Sequence, residues 1–218
     1  MNQITEATNI LRKPLGWIQL DIDIDLNKWQ EEAKVISDYL VKHRESEPHV
    51  NWKGCCIHGI STNSTGHWSK YADYESEVSY HWTELSKEVP TITKFWKNFP
   101  VESFARLRFM TLDPGGRISP HSDAPDGVKN TDFDMMDHII PINLAITHPD
   151  NCDMYLKEYG KVPWAPGKVF IVNVTDTHYV NNNSDQTRIH MIAHCIVGNK
   201  KKEFSDLVVR SYNKYHDK

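Results

Sequence analysis

The sequence predicts a mostly β core with helices at both ends, on three observations: a run of strand-like segments over residues 101–197, a switch from two-residue to helical periodicity near the start, and an amphipathic stripe near the end. At 218 residues, with 39% hydrophobic and 25% charged composition, the chain can build one sizeable core without disulfides or a structural metal. Any metal is then expected to be functional.

The elements follow in order. Over residues 18–25, Ile18, Leu20, Ile22 and Ile24 alternate with Gln19, Asp21, Asp23 and Asp25, the period of a half-exposed strand. Leu26, Trp29, Ala33, Ile36 and Leu40 then recur at helical spacing, with Asp25 as N-cap. Residues 55–60 read as one short strand before a long polar loop, and residues 82–96 as helical with a new turn beginning at Pro90. Strands are expected at 104–112, 117–123, 138–147, 168–174 and 186–197, with a turn at Asp113-Pro114-Gly115-Gly116. So many short strands suggest a sandwich or barrel. Phe204, Leu207, Val208, Ser211 and Tyr212 form one stripe of a closing helix over 200–215.

Lys+Arg 25 against Asp+Glu 29 gives a net charge of -4, and no long basic run occurs, so nucleic acid is not the expected partner. The four cysteines form no C-x-x-C pair and read as reduced core thiols. No segment is apolar enough to span a membrane or to act as a signal peptide, so a soluble, cytoplasmic protein is expected.

The chemistry centres on His121-Ser122-Asp123, which puts an imidazole and a carboxylate two residues apart on one strand face. The same pattern recurs at His148-Pro149-Asp150, which reads as the turn after strand 138–147, so a third ligand must decide between them. His178 follows an apolar strand, and Arg188 lies ten residues on. If Asn181-Asn182-Asn183-Ser184-Asp185 is a hairpin loop, His178 and Arg188 face each other across an antiparallel pair. Between Asp123 and His178 there is room for about four short strands, enough for a barrel to bring both ends together.

Two histidines and one carboxylate on one face of a metal leave positions open for a chelating cosubstrate and O2, the arrangement of non-heme Fe(II) oxygenases. The Arg188 guanidinium suits the far carboxylate of 2-oxoglutarate. Zinc is the alternative metal. Singly, each residue also has a structural explanation, as a hydrogen-bonded barrel histidine, a turn aspartate or a salt-bridged arginine.

The segment from Pro114 to Asp123, with the apolar strand ahead of His178 and Arg188 ten residues on, resembles the aspartyl/asparaginyl β-hydroxylase family of 2-oxoglutarate oxygenases. The resemblance covers roughly residues 101–197. It implies a double-stranded β-helix (jelly-roll, cupin-like) core, Fe(II), 2-oxoglutarate and O2, and hydroxylation of an amino-acid side chain with release of succinate and CO2. Vertebrate members carry glycine at the position of Asp123, so the chain looks more like bacterial-type members with a full triad, some of which act on free amino acids. Asn143 stands where vertebrate members have a histidine that helps hold the cosubstrate.

The expected site is therefore His121, Asp123 and His178 on the metal, Arg188 and Asn143 on 2-oxoglutarate, and Arg108 on a substrate carboxylate. His190 and His194 share the face of Arg188 by parity and are read as packed strand residues rather than ligands. The acidic loop over 124–137 reads as a solvated loop, with a lid for an amine-bearing substrate as the alternative. Residues 1–100 are expected to pack on a catalytic core at 101–198, with a helix over 199–218, as one domain. The substrate is expected to be a free amino acid or an Asp/Asn/Pro-type residue in a peptide. The competing class is a metal-binding barrel without oxygenase activity, a zinc hydrolase or isomerase or a ligand sensor. It gives no reason for Arg188.

Overall fold

The computed structural model describes residues 2–44, 50–66, 79–123 and 135–217. Most of the predicted loop after residue 60 and most of the acidic loop over 124–137 lie outside the described residues.

Helix α1 (Gln3–Leu11) was not foreseen: its short stripe buries only Ala7 and Ile10, and the Asn2 side chain accepts from Ile4 N at 3.1 Å to cap it. Strand β1 (Trp17–Gln19) covers only the start of the expected strand, because Asp21 N then donates to Ser211 Oγ at 2.8 Å and leaves the sheet. Helix α2 (Leu26–Glu32) starts at the Asp25 cap as expected, and Ala33–Tyr39 tightens into a 3-10 helix. Then come β2 (Val41–Lys42), β3 (Val50–Gly59) and β4 (His81–Trp82). The expected helix over 82–96 is two, α3 (Leu85–Glu88) and α4 (Pro90–Lys97), with the break at Pro90. Glu32 on α2 accepts from Thr91 N and Ile92 N, both at 3.0 Å, which satisfies two free donors at the start of α4.

Strand β5 (Ser103–His121) runs straight through the predicted turn. Between the β3 pairs Val50↔Arg117 and Trp52↔Leu112, β5 carries three more residues than β3, so Asp113–Gly116 forms a bulge. Gly115 sits there at φ +69°, a conformation that suits glycine. The four strands expected between Asp123 and His178 are β6 (Ile139–Thr147), β7 (Cys152–Leu156), β8 (Gly160–Lys161) and β9 (Val169–Val172). After them come β10 (His178–Asn182), β11 (Arg188–Ile196) and α5 (Lys201–Tyr215).

The predicted hairpin between β10 and β11 does not form. Both strands pair antiparallel with β5, β11 along its first half and β10 along its second, while β3 holds the other edge. The chain from His178 to Ile196 therefore keeps one direction, interrupted opposite the β5 bulge. Asn182 Nδ2 donates to Leu112 O and Gln186 O, each at 2.8 Å, and Thr187 Oγ1 donates to Asp113 Oδ1 at 3.1 Å. These bonds tie the two interruptions together, in place of a turn that would reverse the chain.

The sheet runs β1-β9-β6-β11-β5-β10-β7-β8 and curls on itself. Its inner faces share one cluster, with Ala145, Phe170 and Val172 from one arm meeting Ile118, Met154, Leu156 and Val180 from the other. The outer face of the β6/β11/β5 arm carries Ile142, Leu144, Met191, Ala193 and Leu107 under Trp29, Ile92, Trp96, Phe204 and Leu207 from the helices. The functional side chains belong to the inner face.

Candidate active site

His178 and His121 are direct partners in the β10/β5 ladder. The next pair is Val180↔Ile118, so β5 spends one residue more than β10 over this step. That one-residue bulge turns His121 to the side of His178, and the two rings stand 4.3 Å apart, centre to centre. Asp123 lies just past the strand, held by its N–H to Val174 O at 2.9 Å, with Oδ1 3.6 Å from His121 Nε2. One ligand atom from each of His121, Asp123 and His178 falls within 4.8 Å of the others. Among the described residues this is the one such cluster of metal-ligating side chains.

Both imidazoles are oriented from behind. His121 Nδ1 donates to Ser119 O at 2.8 Å and His178 Nδ1 donates to Asp176 O at 3.0 Å, which leaves each Nε2 unprotonated as a ligand atom. Burial, reinforced by the neighbouring His121, pushes the His178 pKa below its ordinary value, so the ligating neutral form prevails near neutral pH. The donor set fits Fe(II), and equally zinc.

Arg188 begins β11 opposite Leu112, on the inner face, and is 3% exposed. Its Nη2 donates to His190 Nδ1 at 2.8 Å, while Nε has no hydrogen-bond partner. No carboxylate of the described residues pairs with it. Burial lowers its pKa to about 10, so it remains charged at neutral pH. The predicted opposition of His178 and Arg188 is corrected: they follow one another along the same edge of β5 and are not partners in a ladder. Both still point inward, by the pairings that fix the inner face.

Asn143 on β6 pairs with Phe170 and Ile192, so it too faces inward, and its buried Nδ2 lacks a partner. Arg108 pairs with Ile192 and thus joins this face. Its Nη1 donates to Thr65 O at 2.7 Å, and its Nη2 lies 3.3 Å from His194 Nε2. Arg106 Nη2 donates to the other ring nitrogen of His194, Nδ1, at 2.9 Å. The parity argument thus placed His190 and His194 correctly, but it missed that His190 touches Arg188. It also missed His148, which follows β6 and reaches His190 at 2.9 Å. Only the β6/β11 register, which no local pattern reveals, brings those two together.

The family model for aspartyl/asparaginyl β-hydroxylases matches residues 19–196. The chain belongs to that family. Among solved structures it is similar to a prolyl hydroxylase from Trichoplax adhaerens, in complex with a hypoxia inducible factor oxygen degradation domain peptide fragment, at 11% identity over 94% of each chain with a TM-score of 0.52. It is also similar to AviO1 from Streptomyces viridochromogenes Tue57, at 10% identity over 88% of this chain and 94% of that one, with a TM-score of 0.50. At such identities the likeness is one of fold. No curated protein matches by sequence. The fold is the double-stranded β-helix expected from the sequence. Family and fold support a hydroxylase-type oxygenase dependent on 2-oxoglutarate and Fe(II). Among the described residues no helix is long and apolar enough to cross a membrane.

Proposed function

We propose that this chain hydroxylates an amino-acid side chain, with His121, Asp123 and His178 holding Fe(II) and Arg188 binding the distal carboxylate of 2-oxoglutarate. The overall change is R–H, 2-oxoglutarate and O2 to R–OH, succinate and CO2. When bound, the iron supplies the redox chemistry that couples decarboxylation of the oxo acid by O2 to oxidation of the C–H bond. The protein positions the reactants and excludes water around them.

The observation that carries this reading is the buried guanidinium of Arg188. Holding an ion out of water without a countercharge costs several kcal/mol. A carboxylate arriving with the cosubstrate would offset that cost and give the orphaned Nε an acceptor. Asn143 Nδ2, also unpartnered, supplies a second donor on the same inner face. A zinc hydrolase or a sensor module needs the metal grip and leaves Arg188 without a role.

The substrate is read as a free amino acid or a peptidyl Asp, Asn or Pro-type residue, and Arg108, inward on the β5 half that precedes the bulge, as binding the carboxylate that a free amino acid or peptidyl Asp would bring. The first hundred residues are read as part of the same domain as the core over 101–198, since β1 and β3 join its sheet. Four free, buried cysteines are in keeping with a cytoplasmic location.

The test is succinate release under air with Fe(II) and 2-oxoglutarate, screened first over free amino acids and then over peptides. The product is checked by mass for the gain of one oxygen atom. Substrate-dependent succinate supports the proposal. A tightly zinc-loaded protein that consumes no 2-oxoglutarate with any substrate contradicts it.

A further inference from the structure

Behind Arg188 lies a polar chain, buried at His190 and half-buried at His148, with no part in the chemistry above. Arg188 Nη2 meets His190 Nδ1 at 2.8 Å, and His190 Nε2 meets His148 Nδ1 at 2.9 Å. A guanidinium has only donors, so His190 Nδ1 must be the acceptor. The neutral ring then carries its proton on Nε2 and donates it to His148 Nδ1, which leaves the His148 proton on Nε2. One donor-only group at the head of the chain thus fixes both tautomers.

The packing holds this arrangement rigid. His190 is fully buried, and the Trp164 ring meets it edge to face at 4.6 Å. Trp164 in turn stands on Phe170 at 4.6 Å. Burial first, and the Arg188 charge second, lower both histidines, His148 to about 4 and His190 well below its ordinary value. Both rings therefore stay neutral near neutral pH, the state in which they can accept. An arginine is commonly oriented by a carboxylate, which also cancels its charge. Here a neutral imidazole orients it and leaves the charge available to a ligand.

We propose that His190, braced by His148, is a positioning residue that aims Arg188 at the distal carboxylate of the bound oxo acid and so sets the preference for 2-oxoglutarate over 2-oxo acids lacking that group. The inference rests on the cosubstrate reading above.

The experiment is an anaerobic titration of the Fe(II) protein with 2-oxoglutarate and with 2-oxobutyrate, which has the same chelating end and no distal carboxylate. His190→Leu should raise the Kd for 2-oxoglutarate about tenfold or more, the weight of one hydrogen bond to a charged group. The Kd for 2-oxobutyrate should stay within about twofold, since it does not use Arg188. His190→Asn, whose side-chain oxygen can replace Nδ1 as acceptor, should recover most of the loss. His148→Leu should show a smaller loss of the same selective kind. Long-range proton–nitrogen correlation in the metal-free protein should find Nδ1 unprotonated on both rings.

Equal weakening of both acids, no weakening, or the opposite tautomers would overturn the inference while leaving the cosubstrate reading standing. If His190→Leu does not fold, His190→Asn and His148→Leu decide by the same comparison of the two acids. A wild-type protein that holds Fe(II) and binds no 2-oxoglutarate removes the cosubstrate reading, and this inference with it.

Discussion

At the scale of single residues, the candidate site depends on which nitrogen or oxygen each side chain presents. The Ser119 and Asp176 carbonyls leave Nε2 of His121 and His178 open to a metal ion, and Asp123 adds the one carboxylate of the candidate cluster. Asp123→Ala should lower Fe(II) affinity by more than the roughly 10–100-fold typical of losing an outer hydrogen-bonding partner, and should abolish coupled turnover. Equilibrium dialysis of metal and succinate release measure the two effects, and full activity in this variant would refute the triad. The candidate ligand residues were legible because H-x-D on a strand, a distant His and an Arg ten residues on are uncommon in combination. His148 was not, because as the head of a His-Pro-Asp turn it looks like connection chemistry. Its contact with His190 exists only once β6 has paired with β11.

At the scale of elements, the instructive case is β5. Asp113-Pro114-Gly115-Gly116 has the composition of a turn, and in isolation the reading is sound. Tertiary pairing overrides it: β3 on one edge and β10 and β11 on the other hold the strand straight through, and the extra residues become a bulge. The two glycines should then differ. A Cβ at Gly115 meets nothing within 4 Å, so Gly115→Ala bears only the strain of positive φ, about 1 kcal/mol. At Gly116 a Cβ would stand 2.6 Å from Asp113 O and 2.8 Å from Leu112 Cδ1, so Gly116→Ala should lose more. Urea unfolding of both variants checks this order; equal stabilities would mean that the bulge relaxes freely. The same override undid the hairpin after β10, since an Asn-rich run also reads as a turn. Asn182 instead spends its amide on Leu112 O and Gln186 O across the interruption. Helix α1 escaped notice because a single short helix with two buried side chains carries little periodic signal.

At the scale of the whole molecule, the fold class was readable from the density of strands between terminal helices, while the path of the chain through the barrel was not. Pairing partners such as β5 with β11 lie far apart in sequence, and strand alternation specifies a face without naming a neighbour. The buried histidines give the molecule a pH signature. Burial lowers His58 and His148 to about 4 from an ordinary value of 6.5, and holds His190 well below that ordinary value. Their folded values lie below their unfolded ones, so the unfolded chain binds more protons between about pH 6.5 and 4. Their contribution is fully present above 6.5 and is lost as the pH falls through that window. The urea midpoint of the metal-free protein should therefore drop from pH 6.5 to 4, and less steeply in His148→Phe; an unchanged slope would mean that His148 is accessible to protons when folded. The central claim is that the metal triad and Arg188 serve one cosubstrate. Its most direct test is anaerobic addition of 2-oxoglutarate to the Fe(II) protein, watching for the visible charge-transfer band of a chelated oxo acid in wild type and in Arg188→Ala. The account expects a saturable band in the wild type that needs far more 2-oxoglutarate in the variant. Bound metal with no band, or a band indifferent to Arg188, would contradict it.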